Sequence, residues 1–395
     1  MGFVHQLPDH QAFLFAGVPQ INRGLYHRVR FMVGDPAGLI VFPQGKRPDP
    51  ETRSLFILRD IEMDRAKAHA RADQVYCPKD FAPSDGLSGD RETATAQAIA
   101  ECLIRHDVHE VVTDRSLPMI YVDQLQARGI QVRCDLELGV RERRQKDEQE
   151  IEWLRHAQKV TEGAMQMACH LVASADVDGE GGLIHDGRAL TSARVRQAID
   201  VWLLEQGFHN PGSIVAGGPE GAVCHHIGVG TLRTEQPVII DIFPRDRETG
   251  YNGDCTRTVV HGAVPAEVAR MHATVVKAKQ AATNACRAGV SGEDVHQASV
   301  DTILADGFHV GLPGADAPLS WCSMVHGTGH GIGLEVHEPP LLDFGGPELL
   351  VGDALTIEPG LYRRDLGGIR VEDMVIVTAD GTLNLNQLPE GLDWS

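Results

Sequence analysis

Four acids in this chain stand in or at the ends of apolar runs with the composition of buried strands, and any fold the chain adopts has to accommodate them. Segment 237–241, PVIID, reads as a buried strand ending in Asp241. A glycine-containing turn follows, and then a second strand-like run over 254–261, DCTRTVVH, opened by Asp254. A hairpin is implied, and its pairing can set the two acids side by side on adjacent strands. Two strand-end acids can equally face solvent, which for this pair alone is the simpler reading. Segments 355–360, LTIEPG, and 368–373, GIRVED, place Glu358 and Glu372 inside strand-like runs, where an isolated ionised carboxylate is strongly disfavoured. A bound cation removes that penalty. On an extended strand Arg370 and Glu372 share a face, so the guanidinium either orients the metal-binding carboxylate or meets a carboxylate of the substrate.

Between these runs lies HGTGHGIGLEVHE, residues 326–338. Its glycines let backbone approach closely, and His326, His330 and His337 supply neutral nitrogen ligands or proton carriers. Packing alone does not account for a stretch so dense in both. Asp241, Asp254, His330, Glu358 and Glu372 together offer four oxygen donors and one nitrogen, a set suited to Mn²⁺, Co²⁺ or Zn²⁺ and poorly suited to copper(I). Four negative charges balance two divalent cations. Two metal ions roughly 3.5 Å apart can bridge a water, generate hydroxide near neutral pH and polarise the carbonyl it attacks. The chemistry expected is amide hydrolysis.

The 395 residues exceed one ordinary core and predict two domains, and 42% hydrophobic against 23% charged residues supply enough apolar surface for both. A formal net charge of -19 argues against nucleic acid and anionic membranes as partners. Residues 1–20 have no basic stretch leading into an apolar run, and no uninterrupted apolar segment is long enough to span a bilayer, so a soluble, cytoplasmic protein is expected. The eight cysteines form no C-x-x-C pair, which favours reduced thiols over a disulfide framework or a zinc ribbon.

Residues 1–140 alternate strand-like runs (38–42, 54–58, 110–113, 130–133) with helical stretches such as 93–106, which suggests an α/β layer with some parallel strands. The segment RERRQKDEQE, 141–150, then precedes the helical spacing of Ile151, Leu154, Ala157, Val160 and Ala164, and marks the expected domain boundary. A solvated helix face reads the same way. Beyond it, Val195-Arg-Gln-Ala, Leu204 and Gly207-Phe-His match Val295-His-Gln-Ala, Leu304 and Gly307-Phe-His at an offset of 100 residues. Each copy follows another helical stretch (150–174, 265–287) and leads into strand formers, so an active site can form between two related halves. Chance similarity of amphipathic helices is the alternative.

The order of Asp241, Asp254 in D-C-T-R-T, His330 in H-G-x-G-H-G-I-G, Glu358 in I-E-P-G and Glu372 in G-I-R-V-E-D resembles the pita-bread metallopeptidases, most of all their proline-specific members, the Xaa-Pro dipeptidases (prolidases) and Xaa-Pro aminopeptidases. The motifs cover about residues 145–380. The resemblance implies an α+β fold. In it a pita-bread catalytic domain over 144–395, two pseudo-symmetric halves around a curved antiparallel sheet, is preceded by a smaller creatinase-like α/β domain over 1–143. It implies two divalent ions per subunit, Mn²⁺ before Co²⁺ or Zn²⁺: Asp241 on one, His330 and Glu358 on the other, Asp254 and Glu372 bridging. It implies that His337 stabilises the tetrahedral intermediate, that His225 contacts substrate or helps protonate the leaving proline nitrogen, and that His326 is a further pocket histidine. His226, placed on a strand, would face away from its neighbour. A proline-containing dipeptide or short peptide is the implied substrate and a homodimer the implied assembly. One departure is the interval from Asp241 to Asp254, about two residues longer than the family's usual one, in the turn 245–250, where added length is tolerated because loop entropy grows slowly.

Three other readings compete. A methionine-aminopeptidase-like activity uses the same five ligands, but such enzymes commonly lack an N-terminal domain of this size. A creatinase-like amidinohydrolase works without metal and has lost ligands that this chain keeps. A non-catalytic binding module on the same scaffold predicts eroded ligands, and all five are present.

Overall fold

The structure, a computed structural model, describes residues 8, 10–43 and 53–395, and the chain packs as two compact units, Met1–Arg143 and Arg144–Ser395. The reading of the first twenty residues falls partly outside the described ones.

The first unit is built on the strand Gln11–Gly17, which the sequence reading passes over. Ala12, Leu14 and Ala16 point into one core and Phe13 and Phe15 into another, so the strand is buried on both faces and lies in the interior of its sheet. It pairs antiparallel with Ala37–Val41 and parallel with Glu110–Thr113. The six-stranded order is 74–76, 54–57, 37–41, 11–17, 110–113, 131–134. The helix expected over 93–106 spans Arg91–Arg105, begun by Asp90, whose carboxylate accepts the Thr93 amide at 2.8 Å, and it covers the Ala12–Leu14 face.

The second unit opens with the 26-residue helix Glu148–Ala173. The charged run that precedes it is not merely solvated. Asp147 and Glu150 form a reciprocal capping box at 2.9 Å in each direction. Lys146 is buried against Glu338 at 2.6 Å, and Arg144 grips the fully buried Asp353 with two bonds of 2.9 and 2.7 Å.

The 100-residue repeat is a repeat of structure. Helix Ser192–Glu205 is capped by Thr191 and helix Gly292–Ala305 by Ser291. Each ends in a left-handed glycine, Gly207 at φ 84° and Gly307 at φ 81°, followed by a buried phenylalanine that leads into a short strand. Each helix has a longer partner before it, Glu148–Ala173 and Ala266–Ala285. The strands after each pair form the ladders that carry the site. Ser213–Gly217, Pro237–Ile242 and Cys255–Val260 run antiparallel in the first half. In the second, Gly329–Gly331, Ala354–Ile357 and Asp373–Val377 form one antiparallel ladder, and Gly360–Arg363 with Gly367–Arg370 another. Among the described ladders of this unit, only His309–Val310 with Cys322–Met324 is parallel.

Candidate metal centre

Pro237–Ile242 is buried along its length except at Asp241, the one residue of the strand that is only partly buried. Its register sets Asp241 opposite Thr256 and Ile242 opposite Cys255, so Asp254 is not directly across from Asp241 as the simple hairpin suggests. It lies one step beyond the ladder, diagonal to Asp241 and on the same face as Thr256, a relation that still brings side chains together. The connection is longer than a tight turn because it has work of its own. Asp246 accepts from the Glu248 amide at 2.9 Å and the Thr249 hydroxyl at 2.7 Å, and Asn252 reaches the carbonyl of Gly333 through its amide at 2.9 Å and its side chain at 2.8 Å. Asn252, just past the turn 245–250, therefore ties the hairpin to the glycine-rich segment.

His330 sits on Gly329–Gly331, and its two flanking glycines are steric necessities. A Cβ at Gly329 would lie 2.0 Å from the Thr356 carbonyl oxygen, and one at Gly331 would lie 2.4 Å from those of Glu338 and Pro339. Glu358 and Glu372 sit at strand junctions, Glu358 just past Ala354–Ile357 and Glu372 between Gly367–Arg370 and Asp373–Val377, where a side chain can leave the sheet without interrupting a ladder.

Five predicted ligands thus face one space. Nitrogen and oxygen donors of Asp254, His330 and Glu372 all lie within 4.8 Å of one another. His330 Nε2 is 3.2 Å from Glu358 and 3.8 Å from Asp254. Arg370 donates to Asp241 Oδ2 at 2.6 Å, and Thr256 links the groups by accepting from Arg370 at 3.3 Å and donating to Glu372 Oε2 at 2.9 Å. The carboxylate that Arg370 grips is that of Asp241 and not that of Glu372, its neighbour on the strand face.

Burial without enough positive charge dominates the electrostatics. It drives the carboxyls of Asp254 and Glu372 well above the usual range, and the neighbouring acids push the same way. Asp241 is also raised by burial, opposed by Arg370. Glu358 differs: burial raises it, but the hydrogen bond and charge of His330 outweigh that and hold it at about 2. His330 is raised in turn, burial being overcome by Glu358. Asp241 Oδ1 and Glu372 Oε1 are enclosed and have no hydrogen-bond partner among the described residues. Buried carboxylate oxygens are ordinarily satisfied, so two orphans beside a histidine nitrogen fit a pair of oxygen-preferring divalent cations.

The remaining histidines gather at the rim. The His337 ring lies 4.3 Å from that of His330, and burial followed by the charge of His330 lowers its pKa. His326 bonds the Gly327 carbonyl at 2.7 Å through Nδ1 and the Tyr362 hydroxyl at 2.7 Å through Nε2, and burial lowers it also. His225 is exposed and close enough to influence both His326 and His337. It stands in a turn and not on a strand, so alternation does not separate it from His226. What distinguishes His226 is that its Nδ1 accepts the Gly228 amide at 3.0 Å, which occupies it locally. Sequence reasoning missed Thr256 and Tyr362, the latter accepting from Arg370 at 2.8 Å. Thr256 was findable as a hydroxyl two residues after Asp254, on the same strand face; nothing local marks Tyr362.

A family model described as metallopeptidase family M24 matches residues 152–379. Among curated relatives, a probable dipeptidase PepE of Mycobacterium bovis is 37% identical over 205 residues, 51% of each chain. A Xaa-Pro dipeptidase of Pyrococcus furiosus is 30% identical over 176 residues, 44% of this chain and 47% of its own. The chain thus spans about half the length of the curated relatives it matches. Among solved structures, the fold is similar to a Xaa-Pro dipeptidase from Bacillus anthracis, with TM-score 0.76 at 21% identity over 96% of this chain and 94% of the other. It is also similar to the prolidase from Pyrococcus horikoshii, with TM-score 0.73 at 20% identity over 97% and 95%.

Proposed function

The chain belongs to metallopeptidase family M24, with the pita-bread fold, and from that premise we propose that it hydrolyses the Xaa-Pro bond of dipeptides or short peptides using two divalent ions. The observation that carries the reading is the pair of unpartnered buried oxygens, Asp241 Oδ1 and Glu372 Oε1, in a space that also holds Asp254 and His330. Dipeptidases among the relatives support the dipeptide as substrate over longer peptides. Bound there, the ions, Mn²⁺ first and Co²⁺ or Zn²⁺ next, supply an activated water near neutral pH and a polarised scissile carbonyl.

The protein's own part is to hold and orient. Asp241, Asp254, His330, Glu358 and Glu372 would hold the ions, Asp241 toward one and His330 with Glu358 toward the other. Arg370 opposes the effect of burial on Asp241 and aims it by its 2.6 Å bond, leaving Oδ1 free for a metal. His337, beside His330 and biased toward its neutral form, donates a hydrogen bond to the oxyanion that develops on the substrate carbonyl. His225, open to solvent, can deliver a proton to the departing proline nitrogen. His326, fixed by Tyr362, shapes the pocket wall.

No described helix is long and apolar enough to cross a membrane. The scattered free cysteines support a reducing, cytoplasmic location. The family resemblance supports a homodimer, to be tested by light scattering. The deciding assay compares Ala-Pro with Ala-Pro-Ala with metal content measured in the same preparation. Release of proline from Ala-Pro that depends on bound metal is expected. Inert Xaa-Pro substrates with Mn²⁺, Co²⁺ and Zn²⁺, alongside cleavage of other dipeptides, would overturn proline specificity.

A further inference from the structure

Asp254 and Glu372 both stand just outside regular ladders, and Glu372 keeps one backbone bond across, its amide donating to the Thr256 carbonyl at 3.1 Å. Side chains supply the further main-chain contacts. Gln158, fully buried on the helix Glu148–Ala173, accepts the Asp254 amide at 3.0 Å and donates to the Asp254 carbonyl at 2.6 Å, a two-bond bridge of the kind a neighbouring strand would make. The same amide nitrogen donates to Asn386 Oδ1 at 2.9 Å, and that oxygen accepts the Met374 amide, two residues after Glu372, at 2.8 Å.

The second grip is Arg257, the largest fully buried side chain described. It donates to the carbonyls of Glu372 and Thr256, and its remaining nitrogens reach the Pro389 carbonyl at 2.9 Å and Asp373 at 2.9 Å. Glu390 in turn accepts from Lys279 at 2.7 Å, and Lys279 also pairs with Asp373. Segment 384–392 therefore meets, through one intermediate side chain in each case, the main chain of both acids. Glu162 fixes it from the other side by accepting the amides of Gln387 at 2.6 Å and Leu388 at 2.9 Å.

Resting on the reading that divalent cations sit between Asp254 and Glu372, we infer that segment 384–392 is a strap that sets the spacing of these two acids, with Gln158, Arg257 and Asn386 as positioning residues. A site for two ions tolerates ligand displacements of only about half an ångström. Two acids on opposite halves, joined by the one Glu372–Thr256 backbone bond and each anchored to one common segment, meet that demand.

Cobalt(II) titration of metal-stripped protein, followed by visible absorption, tests the strap without recourse to peptide turnover. Gln158→Leu and Asn386→Ala are expected to bind Co²⁺ roughly 10- to 100-fold more weakly than the parent and to show altered bands at saturation. Asn386→Asp, which keeps the oxygen that accepts from Gln158 and Met374, restores parent-like binding. Leu392→Ala removes core contacts of the same segment without touching either grip, and is expected to lower the thermal midpoint while leaving affinity and spectrum unchanged. Circular dichroism on the same samples confirms which variants are folded. Parent-like affinity and bands in folded Gln158→Leu and Asn386→Ala would overturn the strap, as would equal weakening by Leu392→Ala. A parent that takes up no cobalt overturns the metal reading itself, which separates the two failures.

Discussion

Glu372 and Asp373 are neighbours in sequence, both nearly inaccessible to water, and electrostatically opposite. Asp373 lies between Lys279 and Arg257; burial acts to raise its carboxyl, but these two cations more than compensate and hold it below the usual range. Glu372 has a threonine hydroxyl on one oxygen, nothing on the other, and acids around it, and it is driven far above that range. An acid supplied with cations by its own chain is a structural element, and one buried beside other acids without them needs a cation from outside. The contrast separates framework from centre more sharply than burial does, since burial is nearly the same for both.

The largest effect that tests the contrast is on stability. Asp373→Asn leaves Lys279 and Arg257 buried without their shared counterion and is expected to destabilise the protein by about 3–5 kcal/mol, read from urea unfolding. A loss below about 1 kcal/mol, the range of exposed pairs, would mean that the cluster is not the framework described. Next comes Glu372→Gln, which removes one of the proposed ligands. Activity should fall by at least about a hundredfold, the upper end of what loss of an outer partner costs, while the metal-free protein becomes more stable as a repelled buried charge disappears. A variant both active and less stable than the stripped parent would reverse the assignment of this acid.

The smallest effect is a pH dependence, and its sign follows from the directions of the shifts. Asp254 and Glu372 hold protons more tightly folded than unfolded. The metal-free protein is therefore favoured below the ordinary carboxylate pKa of about 4 and loses stability as pH rises above it toward the folded values, by at most about 1.4 kcal/mol per pH unit for each proton. Asp373 has the reverse sign: its contribution is present above the ordinary value and is lost as pH falls through its lowered one. Thermal midpoints of stripped parent and stripped Glu372→Gln should accordingly diverge with rising pH, and saturating metal should close the gap for the parent. Parallel curves would show that Glu372 is not an uncompensated acid.

Much of this was legible in the sequence because the relevant signals are local. Acids at the ends of apolar runs and a histidine among glycines each announce themselves within a dozen residues, and the doubled helix motif shows on comparing two short stretches 100 residues apart. What escaped depends on partners distant along the chain. The register that sets Asp241 opposite Thr256 is fixed by packing of the whole ladder. Tyr362, Gln158 and Arg257 gain their roles only through contacts with Arg370, Asp254 and Glu372. The strand Gln11–Gly17 escaped for another reason. Buried on both faces, it lacks the alternation that marks a half-exposed strand.

The doubled helix pairs also set an order of events in time. Asp241 and Asp254 follow the first pair and His330, Glu358 and Glu372 the second, and contacts such as Thr256 with Glu372 join residues 116 positions apart. A refolding chain gains its local helices early and such distant closures late. Full-affinity uptake of ions by a refolding sample therefore reports that the two halves have met, and free metal shifts the last step of folding without hastening the first.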